Sequence, residues 1–188
     1  REPICNAIGH QDYGMGARIE LLEYEDEKLV IQNYGQFIPN SVEDVVEKDC
    51  PDSRYRNPFL MEAMCNIGMA ETEGGGIRKL FVQQRKRFFP MPIYDLSGQK
   101  VRCEIQGKVL DENFAKILVN NPDLSLPEII MLDKVQKREY SSLTDDAVAL
   151  LRQKKFVEGK RNSLYLSFRI VESSKHIGLK ASYIKNKS

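Results

Sequence analysis

Three polar residues near the start of the chain, Glu2, Asn6 and His10, are spaced four apart. On a helix of about 3.6 residues per turn they stack into one row, so a carboxylate, an amide and an imidazole would project from a single face. A second group lies further on, where Gly74, Gly75 and Gly76 run directly into a helical pattern. Backbone N–H groups at the positive end of such a helix can cradle an anion. No Lys-Ser/Thr pair follows these glycines, so a Walker-type phosphate loop is excluded. A carboxylate such as Glu2 acts as a general base only beside an ordered water and a well-held phosphate.

A third group is basic and lies late in the chain. The formal net charge is only +1, but residues 1–107 carry 13 Lys and Arg against 17 Asp and Glu, whereas Lys134 to Ser188 carry 13 against 5. Such a region is either a solvated surface or the electrostatic footprint of a polyanion-binding module. Its candidate phosphate contacts are Arg152, Lys154, Lys155, Lys160 and Arg161.

The elements that must position these groups follow from pattern. Pro3 in a first turn, with Gly9 and Gly14 near the end, marks a short helix whose apolar Ile4 and Ile8 are expected in the core, opposite the polar row. "ARIELLEYED" and "KLVIQN" predict a hairpin with a tight turn at Glu25–Lys28 and with Ile19, Leu21, Leu29 and Ile31 toward one side. "NPFLMEAMCNIG" starts a helix at Pro58 and stops it at Gly68, "GGIRKLFVQQRKRF" gives another, and "MPIYDLS" with "KVRCEIQG" forms a second hairpin around Ser97–Gly98. Three helices and two hairpins predict an α+β fold, a two-layer α/β sandwich over residues 1–110 with helices on one face of a mostly antiparallel sheet.

Asn120, Asn121, Pro122, Ser125 and Pro127 then form a loop cluster that signals a boundary. Beyond it "LPEIIMLDKVQKRE" is helical. "LTDDAVALLRQKKF" is helical too, capped by Thr144 or Asp145 and burying Ala147, Val148, Leu150 and Leu151. A Gly-Lys-Arg-Asn turn precedes a strand in which Leu164, Leu166 and Phe168 alternate with Tyr165 and Ser167. Helix, helix and a basic-tipped hairpin outline a winged helix over residues 122–170, with a helical tail at 171–188. In a helix-turn-helix the reading helix would be Thr144–Lys155, and Asp145 and Asp146 at its start would repel phosphates. The module is therefore read either as a DNA binder or as a protein-interaction or dimerisation surface.

At 188 residues with 41% apolar composition the chain has material for one large or two small domains. No run of about 18 apolar residues exists, so a membrane partner is not expected. Cys5, Cys50, Cys65 and Cys103 form no C-x-x-C pair, and with only two His residues a structural zinc site is not expected; free thiols in a reducing cytoplasm are. Arg1 follows no lead-in segment and reads as the cut edge of a longer protein.

The polar row belongs to "EPICNAIGHQDY". This segment resembles the Glu-x-x-x-Asn-Ala-x-x-His-Arg-Asp-Tyr helix of RecG-related, Schlafen-type bacterial transcriptional regulators. "IQNYGQFIP" resembles their Asn/Ser-Pro-Gly-x-x-Pro turn, "SRYRNP" their Ser-Arg-Asn-Pro helix start, and "NIGMAETEGGGIRKL" their Leu-Gly-x-x-Glu-x-Gly-x-Gly-Ile segment. The resemblance runs in order from Arg1 through the winged helix into "KASYIKNKS". It implies a GHKL-like domain followed by a winged helix, DNA as a partner, and an AlbA-like domain preceding Arg1; a homo-oligomer belongs to the dimerisation reading instead.

In ATPases of the GHKL class the Glu-x-x-x-Asn helix carries the nucleotide chemistry. The resemblance implies that Asn6 reaches the Mg²⁺ bridging the phosphates and that Glu2 activates water in a hydrolysing member. The adenine-reading Asp of that class is replaced here by Asn33, ahead of Gly35. An amide can hydrogen-bond adenine but cannot reproduce an acceptor-only carboxylate. Asn6, Asn33, Gly35, Gly74, Gly75 and Gly76 are thus candidate nucleotide contacts in an eroded site that holds Mg–ATP weakly if at all, with hydrolysis not expected. The plainer alternatives are that Glu2 and Asn6 solvate a helix, that the glycines form a loop, and that His10 and Asp12 bond within a turn. Two functions are carried forward: a DNA-binding transcriptional regulator with a degenerate GHKL-like fold, and an ATP-binding module that controls dimerisation.

Overall fold

The structure, a computed structural model, describes residues 1–47, 54–70 and 75–167. Cys50, Gly74, Phe168 and the expected tail at 171–188 lie outside these described residues. The chain divides into two compact units, Arg1–Leu110 with Ser125–Pro127, and Asp111–Leu124 with Glu128–Ser188.

The first unit opens with helix α1, Glu2–His10, with Pro at the start as its missing N–H permits. A single 3-10 turn at Tyr13–Met15 follows, closed by Asp12, whose side chain accepts from the Gly14 amide at 3.0 Å. Strands β1 (Glu20–Tyr24) and β2 (Lys28–Tyr34) form the expected hairpin, with Leu21 opposite Ile31. Helices α2 (Val42–Glu47), α3 (Pro58–Asn66) and α4 (Gly76–Lys86) come next, then β3 (Ile93–Asp95) and β4 (Lys100–Gln106). The four strands make one antiparallel sheet in the order β1-β2-β4-β3. The mixed α+β class is therefore observed.

Two expectations about burial are corrected. On α1 the buried residues are Cys5, Ala7 and Gly9, whereas Ile4 is 37% exposed and Ile8 is only half-buried. The reason is α3: Cys5 packs with Met61, Met64 and Ala70, and the Met61 thioether lies where a Cβ on Gly9 would stand. A bulky residue at position 9 would push the two helices apart. On β1 every residue is exposed, Leu21 included, although Leu21 does share a face with Ile31. Edge position explains this, because β1 ends the sheet and α1 packs on its neighbour β2.

The second unit comprises α5 (Glu112–Asn120), α6 (Leu126–Gln136) from Glu128 onward, α7 (Asp145–Gln153) and an antiparallel hairpin, β5 (Val157–Lys160) with β6 (Ser163–Leu166). Thr144 is the N-cap of α7, accepting from the Ala147 amide at 3.2 Å. Ile117, Ile129, Leu132 and Leu151 are fully buried and form the core. Ser167, expected to face outward beside Tyr165, is instead buried, its N–H donating to the Phe156 carbonyl at 2.9 Å.

Candidate functional site

Helices leave their last carbonyls without partners, and α1 finds its donors in a segment far along the chain. Asn57 donates through Nδ2 to the carbonyls of Gln11 (2.7 Å) and Gly9 (3.2 Å), and its own N–H bonds Gly9 at 3.0 Å. Arg56 donates to the carbonyls of His10 and Gln36, each at 3.2 Å, and pairs with Asp12 at 3.7 Å. Gly35 lies directly beneath this guanidinium, with φ at +116° and a would-be Cβ 3.0 Å from Arg56 Nε, so a side chain is excluded twice. The fully buried Gln11 completes the join, donating to the Ala17 carbonyl and accepting the Tyr34 N–H, both at 2.8 Å. These contacts fix the α1 row against the end of β2.

Between them is a cavity of about 170 Å³. Asn6, Ala7 and His10 of α1 line it, with Ile31 and Asn33 of β2, Gly75, Gly76 and Ile77 at the start of α4, Asp44 and Val45 of α2, and Tyr94, Val101 and Cys103 of the far strands. The strand register sets its floor: Asn33 opposes Val101, Ile31 opposes Cys103, and Cys103 opposes Tyr94. That end is apolar. The other end is polar, because Gly76 brings its backbone against α1 so closely that a Cβ would lie 3.1 Å from Asn6 Nδ2 and 3.4 Å from Glu2 Oε2.

Of the residues the sequence singles out for this site, Asn6, Asn33, Gly75 and Gly76 line the one cavity, and Glu2 touches its edge at Gly76. Gly35 lies under Arg56 at the rim rather than in the lining, so its part is to let the chain turn. Gly74 falls outside the described residues. The Asn6 side chain makes no hydrogen bond among the described residues, and Gly75, the N-cap of α4, sits in the left-handed conformation and offers no side chain to the helix amides. Glu2 is held by Arg1, whose Nη2 lies 2.9 Å from Oε1.

Burial, and then the Arg56 guanidinium, hold the His10 pKa below the ordinary imidazole value of 6.5, so the ring is neutral at physiological pH. His10 also lies against Tyr55, ring centroids 5.2 Å apart. At the apolar end Tyr94 stacks on Phe81 and is linked to the Cys103 sulfur; burial pushes the Cys103 thiol up to about 12 and raises Tyr94 as well. Neither group ionises near neutrality. Sequence pattern did not single out Gln11, Arg56 or Asn57 as positioning residues. The available signal was the need of the α1 carbonyls for donors.

The basic residues of the second unit are disposed differently. Arg161 donates to the carbonyls of Tyr140 (2.7 Å) and Leu143 and to the Asp145 carboxylate at 3.1 Å. Arg152 donates to the Gly159 carbonyl at 2.7 Å, and Lys154 pairs with the buried Glu128. Lys155 and Lys160 are exposed. Asp145 therefore anchors the hairpin turn through Arg161 as well as lying in the first turn of α7, and the expected cationic tip is half internalised.

No helix among the described residues is long and apolar enough to cross a membrane, and no group of three or more His, Cys, Asp or Glu among them could hold a metal ion by itself. Residues 16–105 match the model of the family described as "Putative ATP-dependent DNA helicase recG C-terminal". Over this stretch the chain is similar to that RecG-related, ATPase-like family. The match begins after α1, so the Glu2–Asn6–His10 row is tied to the matched stretch by the Gln11, Arg56 and Asn57 contacts. No curated protein matches the chain. The fold is similar to the crystal structure of the DIP2311 protein from Corynebacterium diphtheriae, with a TM-score of 0.54 and 14% identity, over 92% of this chain and 40% of that one. The likeness at that identity is one of fold, and this chain spans less than half the length of the other.

Proposed function

We propose that the first unit is a GHKL-like module that binds a magnesium nucleotide, Mg–ATP in the first instance, in the cavity between α1, β2 and the start of α4. One observation carries this reading. Gly76 places the start of α4, which Gly75 leaves without a side-chain cap, against Asn6 with no room for a side chain, so helix-start backbone donors and the Asn6 amide oxygen converge on one end of a cavity whose other end is apolar. Those donors suit a polyphosphate, and Asn6 Oδ1 suits the hard cation that accompanies it. The bound group would bring the phosphates and the cation; the chain's own part is to hold them, to exclude water at the apolar end, and to present a neutral His10 at the rim. A general base needs an ordered water beside a well-held phosphate, so with a neutral amide at Asn33 binding rather than turnover is the expected activity.

Calorimetry with Mg–ATP tests this. With a neutral amide at Asn33 the expected Kd is near or above the millimolar scale, about −4 kcal/mol. Gly76→Val should abolish binding while leaving the circular dichroism unchanged. Micromolar binding that survives Gly76→Val would place the ligand elsewhere.

A second reading concerns the other unit. The order α6, α7 and β5–β6 hairpin supports a winged helix, and the exposed Lys155 and Lys160 support a DNA-binding, regulatory role for the protein of which it is part. Anisotropy with a short duplex at two or three salt concentrations tests it, since phosphate contacts must weaken steeply with salt. Salt-independent self-association would instead make this unit an interaction surface.

A further inference from the structure

The purine end of the cavity is set by Asn33, and the two halves of its amide are placed unequally. The residue is 5% exposed and lines the cavity beside Ile31, Val101 and Cys103. Its Nδ2 donates to the Tyr34 carbonyl, but at 3.4 Å, the long limit of a hydrogen bond. Its Oδ1 takes no hydrogen bond among the described residues and is left to the cavity. The Tyr34 carbonyl does not depend on Asn33, because it already accepts the Asp12 N–H at 2.7 Å.

From this arrangement we infer that the pocket accepts purines of either C6 chemistry, amino or oxo, and that Asn33 is the residue that makes it tolerant. The inference rests on the nucleotide-binding reading above and specifies which nucleotides that site takes. As placed, Oδ1 accepts a hydrogen bond from an exocyclic amino group. Turned through 180° about its last bond, the same side chain presents Nδ2–H to a 6-oxo group. The turn sacrifices one long hydrogen bond and sets Oδ1 in its place, at the same long distance from a Tyr34 carbonyl that the Asp12 N–H already satisfies, so its cost corresponds to about tenfold in affinity. A carboxylate at this position has no such option, since both oxygens accept and an oxo group would face an acceptor with no proton between them. Sites built with buried polar groups of fixed sense reject the wrong partner by several orders of magnitude.

The experiment uses the whole chain with Mg–ATP and Mg–ITP, which differ in the C6 amino or oxo group, titrated by calorimetry or by displacement of a fluorescent nucleotide. In the wild type the two Kd values should lie within about tenfold of each other. In Asn33→Asp the preference for ATP over ITP should rise to about a hundredfold or more. A wild-type preference already above a hundredfold, or an Asn33→Asp ratio equal to that of the wild type, would overturn the inference while leaving nucleotide binding intact. Binding of neither nucleotide by the wild type would overturn the nucleotide reading itself, and the tolerance with it. If Asn33→Asp fails to fold, Asn33→Ala removes both halves of the amide and should weaken ATP and ITP equally; a selective loss of one would show that Asn33 reads only that one.

Discussion

The two units treat their polar side chains in opposite ways. In the first, Asn6 and the acceptor half of Asn33 face a cavity without protein partners, and the start of α4 carries no side-chain cap. In the second, Arg152, Lys154 and Arg161 are engaged by carbonyls or carboxylates of their own unit. Uncompensated polar groups in a concave place are what a ligand can use, because their desolvation is offset only when something binds. A count of positive charge does not measure this. The acidic-to-neutral first unit thus carries the better site, although the later region holds the net positive charge.

The comparison can be broken by mutation. The largest expected effect is at Arg161: Arg161→Ala leaves the Leu143 carbonyl without its Arg161 donor and the Tyr140 carbonyl with only the Leu143 N–H, and should cost about 1–3 kcal/mol in urea or thermal unfolding of the second unit. A change within about 0.5 kcal/mol, the range of ordinary surface substitutions, would mean that the side chain is free to meet a ligand. Asn6→Ala should show the reverse pattern, with stability altered by no more than about 0.5 kcal/mol and Mg–ATP affinity falling about tenfold or more, equivalent to about 1.4 kcal/mol. A clear loss of stability at Asn6 would mark it as structural and erase the contrast between the units.

His10 sharpens the contrast through pH. Its folded-state pKa lies below the unfolded value near 6.5, so its neutral form stabilises the fold fully above that pH, and this contribution is lost as pH falls from about 6.5 through the folded pKa. Unfolding of the first unit measured between about pH 7.5 and 5 should therefore show a decline that His10→Asn flattens, provided the variant folds. The smallest effect is at Lys160, which is exposed and makes no ion pair among the described residues. Lys160→Ala should leave stability unchanged and, if the hairpin meets a duplex, reduce the slope of log K against log salt by about 1. An unchanged slope would assign the late positive charge to solvent.

What the sequence by itself determined is local. Pro3 and Pro58 open their helices, Thr144 caps α7, the hairpins close where their turn residues fall, and the four-residue spacing places Glu2, Asn6 and His10 on one face. Such features depend on neighbours within one turn or one strand pair, so their patterns are written in contiguous residues. The tertiary structure decided which surface each face would meet. Cys5 and Gly9, and not Ile4 and Ile8, became the buried side of α1 because Met61 of α3 packs there. Arg56 holds the end of α1 from 46 positions away, and Arg161 reaches back 21 positions to the Tyr140 carbonyl. Short α2, whose Val42, Val45 and Val46 complete the core, is too brief for periodicity to announce it. Whether Asn33 would offer the cavity a donor or an acceptor was equally beyond the pattern of residues. Its Nδ2 bonds the adjacent Tyr34 carbonyl, but that Oδ1 meets no donor among the described residues and is left to the cavity was decided by the packing around β2.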